Sequence, residues 1–179
     1  MKIKIINAYN NSKQSDKELG LSWYQRAHNE CILLSQVFEL PLSKVVGVVA
    51  ALSPNNKWNR NLFDAWNLLD NPSMDTKVCT YKTQRAKALR ILGSTGSDEE
   101  IQGILNGPKT KNFYENILYY STSTRVTVDL WVYRFVGLKN SAKNFREVEA
   151  AFQEAASSLR IQPHQLQAVI WGDIRGKSA

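Results

Sequence analysis

The chain has 179 residues, of which 43% are hydrophobic and 10% aromatic, so it is long and apolar enough to bury a sizeable core. Its two cysteines exclude a disulfide framework and a four-cysteine zinc or iron–sulfur site built from this chain alone, and they favour a reducing cytoplasm. The 23 Lys and Arg against 16 Asp and Glu give a net charge of +7, which favours a polyanionic partner. We expect a single compact domain, or two closely packed lobes, over residues 1–179.

The N-terminal twenty residues are predicted to be an arm. Residues 2–9 alternate loosely between apolar and polar, which indicates a strand or an extended segment. The segment lacks the long apolar core and the small-residue cleavage site of a signal peptide, so no signal peptide is expected. No run approaches the eighteen apolar residues of a membrane span, so no membrane partner is expected. From Ser22 onward the pattern predicts a helix, because apolar residues recur every three or four positions: Trp23, Ala27, Cys31, Leu34 and Phe38.

Three more helices are predicted in the middle of the chain. The valine-rich residues 43–52, "SKVVGVVAAL", suit a strand on propensity, but their helical neighbours favour a buried helix capped by Ser43. The stretch "KWNRNLFDAWNLLD" is amphipathic and predicts a helix with Trp66 in the core. The stretch "TQRAKALRIL" predicts a basic helix whose cations form a solvated face, with a second DNA contact as the alternative: Arg85, Lys87 and Arg90.

A helix-hairpin-helix element is predicted over about residues 98–120. Ser97 and Glu100 form a capping box at its start, and "NGPK" makes the turn into the second helix. Backbone N–H groups at the start of that helix point outward and bind phosphate, and two lysines add positive charge. An ammonium near a helix N-terminus loses its proton more easily when partly desolvated, so Lys109 is a candidate nucleophilic amine, whereas Lys111 is a phosphate contact.

Asp129 stands directly before another apolar helical pattern in "VTVDLWVYR". An aspartate at this position accepts backbone N–H groups as a helix cap, and in a cleft it would also stabilise a developing cation. Both roles stay open. The remaining patterns, "FREVEAAFQEAASSL" and the helix beginning near Pro163, complete an all-α chain in which His28 and His164 are expected at the surface or at helix caps.

Together these segments resemble the helix-hairpin-helix DNA glycosylase superfamily (HhH-GPD), to which endonuclease III and 8-oxoguanine glycosylase belong. The segments that carry the resemblance are "ILNGPKTKNFYENIL", "VTVDLWVYR" and "PHQLQAVIWGDIRG", with Gly107, Lys109 and Thr110 matching the hairpin and Val128, Asp129 and Arg134 matching the segment after it. Upstream, "ALSPNNKW" resembles the family segment that fills the gap left by an extruded base, and it places Asn55 there. The order of the segments also resembles uncharacterised bacteriophage proteins.

The resemblance implies a two-lobed helical fold and a monomer that acts on double-stranded DNA without a cofactor or metal. The implied activity is cleavage of the N-glycosidic bond of a flipped base, with or without AP lyase activity through a lysine Schiff base. Lys109 and Asp129 would be catalytic. The implied DNA contacts are Asn55, Asn56, Gly107, Thr110 and Lys111, and the implied base pocket is Trp58, Trp131 and Trp171.

Two other functions stay open. A DNA-binding module without catalysis is favoured by the hairpin, which is shortened to Leu105–Pro108, and by Trp131, which stands where a histidine or similar residue is common in the family. The same scaffold would also serve a phage factor that binds a host protein.

Overall fold

The computed structural model describes residues 1–176, and over that range the chain forms eleven α-helices and no strand, which confirms the predicted all-α class. The helices are α1 Lys2–Asn11, α2 Gln14–Leu21, α3 Trp23–Val37, α4 Leu42–Leu52, α5 Trp58–Asp70, α6 Lys82–Leu92, α7 Asp98–Leu105, α8 Pro108–Leu118, α9 Leu130–Val136, α10 Ala142–Leu159 and α11 Pro163–Gly176. The chain divides into two compact units. Unit 1 comprises Met1–Arg26 and Tyr119–Ala179, and unit 2 comprises Ala27–Leu118.

The N-terminal segment is helical, so the prediction of a strand or extended arm is wrong. Ile5 of α1 is fully buried in the core of unit 1, and Ile6, Ala8 and Tyr9 pack against that core. α1 lies on α10 and α11, while α2 packs closely on α11. The alternation in "KIKII" is too short to distinguish the two periods, and burial of one helical face decides between them.

The core of unit 1 is made by α1, α9, α10 and α11 together with the extended residues before α9. Its buried members are Ile5, Val126, Val128, Val132, Tyr133, Phe145, Val148, Phe152, Ala155, Ala156, Leu166 and Ile170. Gly20 of α2 lies so close to α11 that a Cβ atom there would stand 2.5 Å from the Val169 Cα and backbone N. The close packing of α2 on α11 therefore depends on glycine at this position.

We expect Gly20→Ala to lower the free energy of unfolding by about 3 kcal/mol, because the added methyl group meets backbone atoms that cannot rotate away. Urea denaturation followed by circular dichroism measures the change. Gly172→Ala on α11 is the matched control, since its Cβ meets nothing within 4 Å and alanine favours the helix. A Gly20→Ala protein as stable as wild type would contradict the proposed packing.

Unit 2 is built around α4, whose residues from Val45 to Leu52 are all buried, as predicted for the valine-rich stretch. The helices α5, α6, α7 and α8 pack around it. Gly47 allows this approach, because its Cβ would stand 2.9 Å from the Ile91 Cγ2 and 3.0 Å from the Ile101 Cγ2. Ser43 is not the N-cap, which is Pro41; the Ser43 hydroxyl instead donates to the Gly96 carbonyl at 2.7 Å.

Trp66 is 44% exposed, so its prediction as a core residue is wrong. Its ring contacts Phe38 edge to face, with 5.0 Å between centroids. The buried face of α5 is rotated from the apolar stripe, because it includes the polar side chains of Asn61 and Asp64. An apolar pattern cannot show that two polar residues belong to a core.

His164, near the start of α11, is 1% exposed, and the prediction of a surface or capping histidine is wrong. Its ring lies edge to face against Tyr24, with 5.0 Å between centroids. Burial lowers the pKa of His164 to about 4, with nearby backbone groups of Ser123 and Tyr120 opposing the shift in part. Within the described residues neither ring nitrogen meets hydrogen-bonding geometry. The imidazole is therefore held neutral in the core.

We expect the free energy of unfolding to fall by about 3 kcal/mol between pH 6.5 and about pH 4 because of this residue. Over that range the unfolded chain binds a proton at His164 and the folded chain does not. Below about pH 4 both states bind the proton, and this contribution stops changing. Urea denaturation at a series of pH values measures it, and the difference between wild type and His164→Met isolates it. Parallel pH profiles for the two proteins would contradict the assignment.

Candidate functional site

The predicted helix-hairpin-helix lies in unit 2 and is formed by α7 and α8. α7 ends at Leu105, its C-cap Asn106 adopts the left-handed conformation with φ of 60°, and α8 begins at Pro108. The Gly107 N–H donates to the Leu105 carbonyl at 2.8 Å, and the Gly107 carbonyl accepts the Lys111 N–H at 3.0 Å. The connection between the two helices is therefore only two residues long.

Side chains from both helices hold the hairpin together. The Tyr114 hydroxyl of α8 donates to the Asp98 carboxylate at the start of α7, at 2.6 Å. The Ser97 hydroxyl accepts the Glu100 N–H at 3.4 Å, as the capping box predicts. The Glu100 carboxylate, however, accepts from the N–H and hydroxyl of Thr95 rather than from the Ser97 N–H. Ser97 is thus the side-chain cap of α7, and Glu100 ties the helix to Thr95 before it.

Cations of α6 are used inside unit 2, so the prediction that they form a solvated face is wrong for two of the three. Lys87 donates its ammonium to the Leu105 carbonyl at 2.9 Å, which satisfies the last turn of α7 beside the hairpin. Arg85 donates to the Thr76 carbonyl at 2.6 Å. Arg90 is exposed. Lys87 is a hairpin residue that sequence reasoning missed, because its acceptor is a distant backbone carbonyl.

The first turn of α8 carries the predicted phosphate-binding residues. Pro108 occupies the first helical position. The first backbone hydrogen bond of the helix is donated by the Lys111 N–H, so the N–H groups of Lys109 and Thr110 precede it. The Thr110 hydroxyl donates to the Gly107 carbonyl at 3.1 Å, and this side chain is buried. The side chains of Lys109 and Lys111 are half-buried. Thr110 therefore shapes the turn, and the roles of the two lysines in binding stay predictions.

The loop between α4 and α5 presents Asn55. This residue is exposed and has a φ of 55°, a conformation that asparagine tolerates better than most residues. Its side-chain amide donates to the Tyr81 hydroxyl, and the Thr80 hydroxyl donates to the Pro54 carbonyl at 2.8 Å. The loop is therefore fixed to the segment before α6, and Tyr81 is a partner of Asn55 that the sequence did not indicate.

Asn56, predicted to contact DNA, faces inward. Its amide donates to the fully buried Asp64 carboxylate at 2.8 Å. Asp64 also accepts the Arg60 Nε–H at 3.1 Å and the Cys79 N–H at 2.8 Å. This carboxylate joins the loop, α5 and the segment before α6. Its only sequence signal is its place three residues after Asn61 on the buried face of α5.

Trp58 opens α5 and is anchored at its polar edge. Its indole N–H donates to the Glu30 carboxylate of α3 at 2.7 Å. The ring also meets Phe113 of α8 edge to face, with 6.4 Å between centroids. The side chain is half-buried. The geometry fixes its orientation and leaves part of the ring accessible, so its predicted role in a base pocket stays a prediction.

Asp129 is the N-cap of α9 in unit 1, as predicted. Its Oδ1 accepts the Val132 N–H at 3.0 Å, and its Oδ2 accepts the Trp171 indole N–H at 2.8 Å. The side chain is half-buried. Two donors therefore fix the carboxylate against α9 and α11. Trp171, predicted to stack on a base, positions Asp129 in this arrangement.

Trp131 follows in the first turn of α9. The guanidinium of Arg134 lies 5.2 Å from the centroid of its ring, in a cation–π contact. Trp131 is half-buried and Arg134 is exposed. This pair forms a mixed aromatic and cationic surface beside Asp129.

The predicted residues fall into two sets. Unit 2 holds Asn55, Asn56, Trp58, Gly107, Lys109, Thr110 and Lys111, and unit 1 holds Asp129, Trp131 and Trp171. Asp129 and Trp171 are in direct contact, whereas Asn56 and Thr110 are turned to structural partners. Within residues 1–176 no three His, Cys, Asp or Glu side chains are grouped so that they could hold a metal ion.

The thiol of Cys31 does not add a nucleophile. Burial, with a smaller contribution from Glu30, raises the pKa of Cys31 to about 12, so the thiolate does not form near neutral pH. Cys79 is exposed and free. In the part of the chain that is described, no single helix is long and apolar enough to cross a membrane; α3 and α4 meet that criterion only as a bent pair.

Residues 1–178 match the family described as "Family of unknown function (DUF7178)". No curated protein and no solved structure matches the chain.

Proposed function

The chain belongs to this family of unknown function, and from its own residues we propose that it is a DNA glycosylase. The reaction is cleavage of the N-glycosidic bond of a base flipped out of duplex DNA. The observation that carries the proposal is the two-residue hairpin between α7 and α8, with Lys109 and Lys111 in the first turn after it. Asp129 at the start of α9 adds the carboxylate that the reaction uses.

The hairpin binds the DNA backbone without reading sequence. The N–H groups at the start of α8 and the positive end of the helix dipole attract a phosphate oxygen. Lys111 neutralises a phosphate and releases its condensed counterion. Tyr114 and Lys87 keep the two helices and the turn fixed, so the donors are preorganised before DNA arrives.

Asp129 stabilises the positive charge that develops on the deoxyribose. As the bond between C1′ and the base nitrogen breaks, the base takes the electron pair and the sugar gains oxocarbenium character. A fixed carboxylate near C1′ lowers the energy of that state more than it lowers the energy of the substrate. The Val132 N–H and the Trp171 indole N–H hold Asp129 in one orientation for this role.

Lys109 supplies the amine for a lyase step. The Lys109 ammonium first gives a proton to water, and its Nζ then forms a bond to C1′ as the bond from C1′ to the base breaks. The base leaves with the electron pair and takes a proton from water. A proton then passes from Nζ to the ring oxygen, the C1′–O4′ bond breaks, and a protonated Schiff base results. Loss of a proton from C2′ then breaks the C3′–O bond, and water releases the lysine. In a monofunctional enzyme water attacks C1′ instead, and Lys109 only binds phosphate.

Asn55 fills the space that the flipped nucleotide leaves. Flipping costs a few kcal/mol and costs least at a mismatched or damaged pair. Asn55 is exposed on a loop that hydrogen bonds to Tyr81 and Asp64 hold in place. The loop is already ordered in the free protein, so DNA binding does not have to supply the entropy cost of ordering it. One of the half-buried tryptophans would stack on the extruded base.

A DNA-binding module without catalysis is the second candidate. The observation that favours it is that both oxygens of Asp129 already accept hydrogen bonds, as they would in a purely structural helix cap. This candidate predicts salt-sensitive binding to duplex DNA and no release of a base.

Borohydride trapping on a duplex with one abasic site tests the proposed lyase chemistry without knowledge of the target base. A covalent adduct of protein and DNA is expected from the wild-type protein, because borohydride reduces the Schiff base. Absence of an adduct at protein concentrations that saturate the duplex would remove the lysine mechanism. Absence of both an adduct and base release would overturn the glycosylase proposal.

A further inference from the structure

The positive charge of the chain is concentrated in unit 1. Unit 1 holds 13 Lys and Arg against 7 Asp and Glu, whereas unit 2 holds 10 against 9. The net charges are therefore +6 and +1. The hairpin, which carries the proposed phosphate clamp, lies in the nearly neutral unit, and most of the attraction for a polyanion originates in the other.

Much of this excess lies in one stretch, residues 134–146, which we name the basic segment. It runs from the last turn of α9 through the connecting loop into the first turns of α10. It contains four cations and no carboxylate, and all four cations are exposed: Arg134, Lys139, Lys143 and Arg146. None of them forms an ion pair with any residue in the described part of the chain.

Local contacts hold the basic segment in place. The Asn144 side-chain amide donates to the Lys139 carbonyl at 2.7 Å, and the Ser141 hydroxyl caps α10 by accepting the Asn144 N–H at 3.1 Å. Lys4 of α1 donates to the Phe135 carbonyl, which adds another exposed ammonium at the end of α9. Four unpaired like charges on a fixed surface repel one another, and an anionic partner relieves that repulsion.

We propose that the basic segment is a second duplex-DNA contact, which binds the phosphate backbone on the side of Asp129. This inference rests on the proposed function in taking DNA as the partner. The segment begins five residues after Asp129, a carboxylate that repels phosphates. Cations on the same unit offset that repulsion and hold the DNA strand that the carboxylate must approach. Backbone contact through lysine and arginine predicts affinity that depends on salt and not on sequence.

The test compares two triple variants of the full chain. Lys139→Gln, Lys143→Gln and Arg146→Gln together remove three charges from the basic segment, and Arg134 is left intact because it packs on Trp131. The matched control, Lys13→Gln with Arg26→Gln and Arg160→Gln, removes three exposed charges of unit 1 outside it. Circular dichroism and urea denaturation confirm that both variants fold.

Duplex affinity is measured by fluorescence anisotropy with an unmodified duplex at several salt concentrations. For the basic-segment variant we expect the slope of log K against log salt to become shallower by about 3, because each lost phosphate contact removes about 0.9 from its magnitude. We expect its affinity for the duplex at 0.15 M salt to be about 100-fold lower than that of wild type. The control is expected to change the slope by less than about 1. The charge-conserving variant Lys139→Arg, Lys143→Arg and Arg146→Lys should bind as wild type does.

Equal losses in the two triple variants would overturn the inference, because general charge would then explain binding. Unchanged binding in the basic-segment variant would also overturn it, as would binding to phosphatidylserine vesicles by a protein that does not bind duplex DNA. The outcome is separable from that of the proposed function. Duplex binding that depends on the segment without any base release supports the contact and removes only the catalysis.

Discussion

Asp129→Asn is expected to lower base release per folded molecule by about 10²- to 10³-fold, the range seen when one preorganised electrostatic group is removed from an active site. Asparagine caps a helix as well as aspartate does, so its Oδ1 still accepts the Val132 N–H. Its amide, however, cannot accept the Trp171 indole N–H, and we expect a loss of stability of only about 1 kcal/mol. Single-turnover kinetics with an excess of folded protein measures the rate.

Glu154→Gln is the matched control, because it removes one exposed negative charge from unit 1. It should release the base at the wild-type rate. If Asp129→Asn loses stability but keeps the wild-type rate, the aspartate is only a helix cap and the proposed electrostatic role is wrong.

Lys109→Ala is expected to abolish strand cleavage at an abasic site, since no other amine is proposed to form the Schiff base. Within residues 1–176 the half-buried Lys109 side chain forms no hydrogen bond, so folding should be retained. Electrophoresis of an end-labelled duplex measures cleavage. Any base release that persists in the variant would come from water attacking C1′.

Lys111→Ala removes one positive charge from the same helical turn. It therefore distinguishes a catalytic role of Lys109 from electrostatic attraction of DNA. It should weaken duplex binding and lower the salt slope by about 0.9, yet cleave at saturating protein. Cleavage by Lys109→Ala at the wild-type rate would contradict the nucleophile assignment, and equal loss in both variants would assign Lys109 to binding alone.

Much of the helical architecture could be predicted from sequence, because the long amphipathic segments carry a clear period. The hairpin was predictable from "NGPK", because asparagine at position 106 tolerates the left-handed conformation. Proline at position 108 favours the start of a helix, where a backbone N–H would have no partner within the helix. α1 was not, because five alternating residues fit either period and only contact with α10 and α11 selects the helix. Trp66 and His164 were misplaced for the same reason: the buried face of a helix is set by its partners.

The candidate site was predictable only in its local parts. Asp129 as an N-cap and the lysines in the first turn of α8 follow from short-range rules. Three side-chain contacts join residues that lie 8, 26 and 42 positions apart, beyond the reach of helical spacing: Asn56 with Asp64, Asn55 with Tyr81, and Trp171 with Asp129. No spacing rule reports such pairs. The clustering of charge in the basic segment is visible in sequence, but its exposure is not.

The most direct test of glycosylase activity is mass spectrometry of free bases released from duplex DNA by excess protein, using duplexes with single damaged, mismatched or modified bases. A glycosylase releases a free base from at least one of these duplexes, leaves an equal number of abasic sites, and loses both activities in the Asp129→Asn variant. Salt-dependent binding to every duplex with no free base from any of them would contradict it and would leave a DNA-binding module.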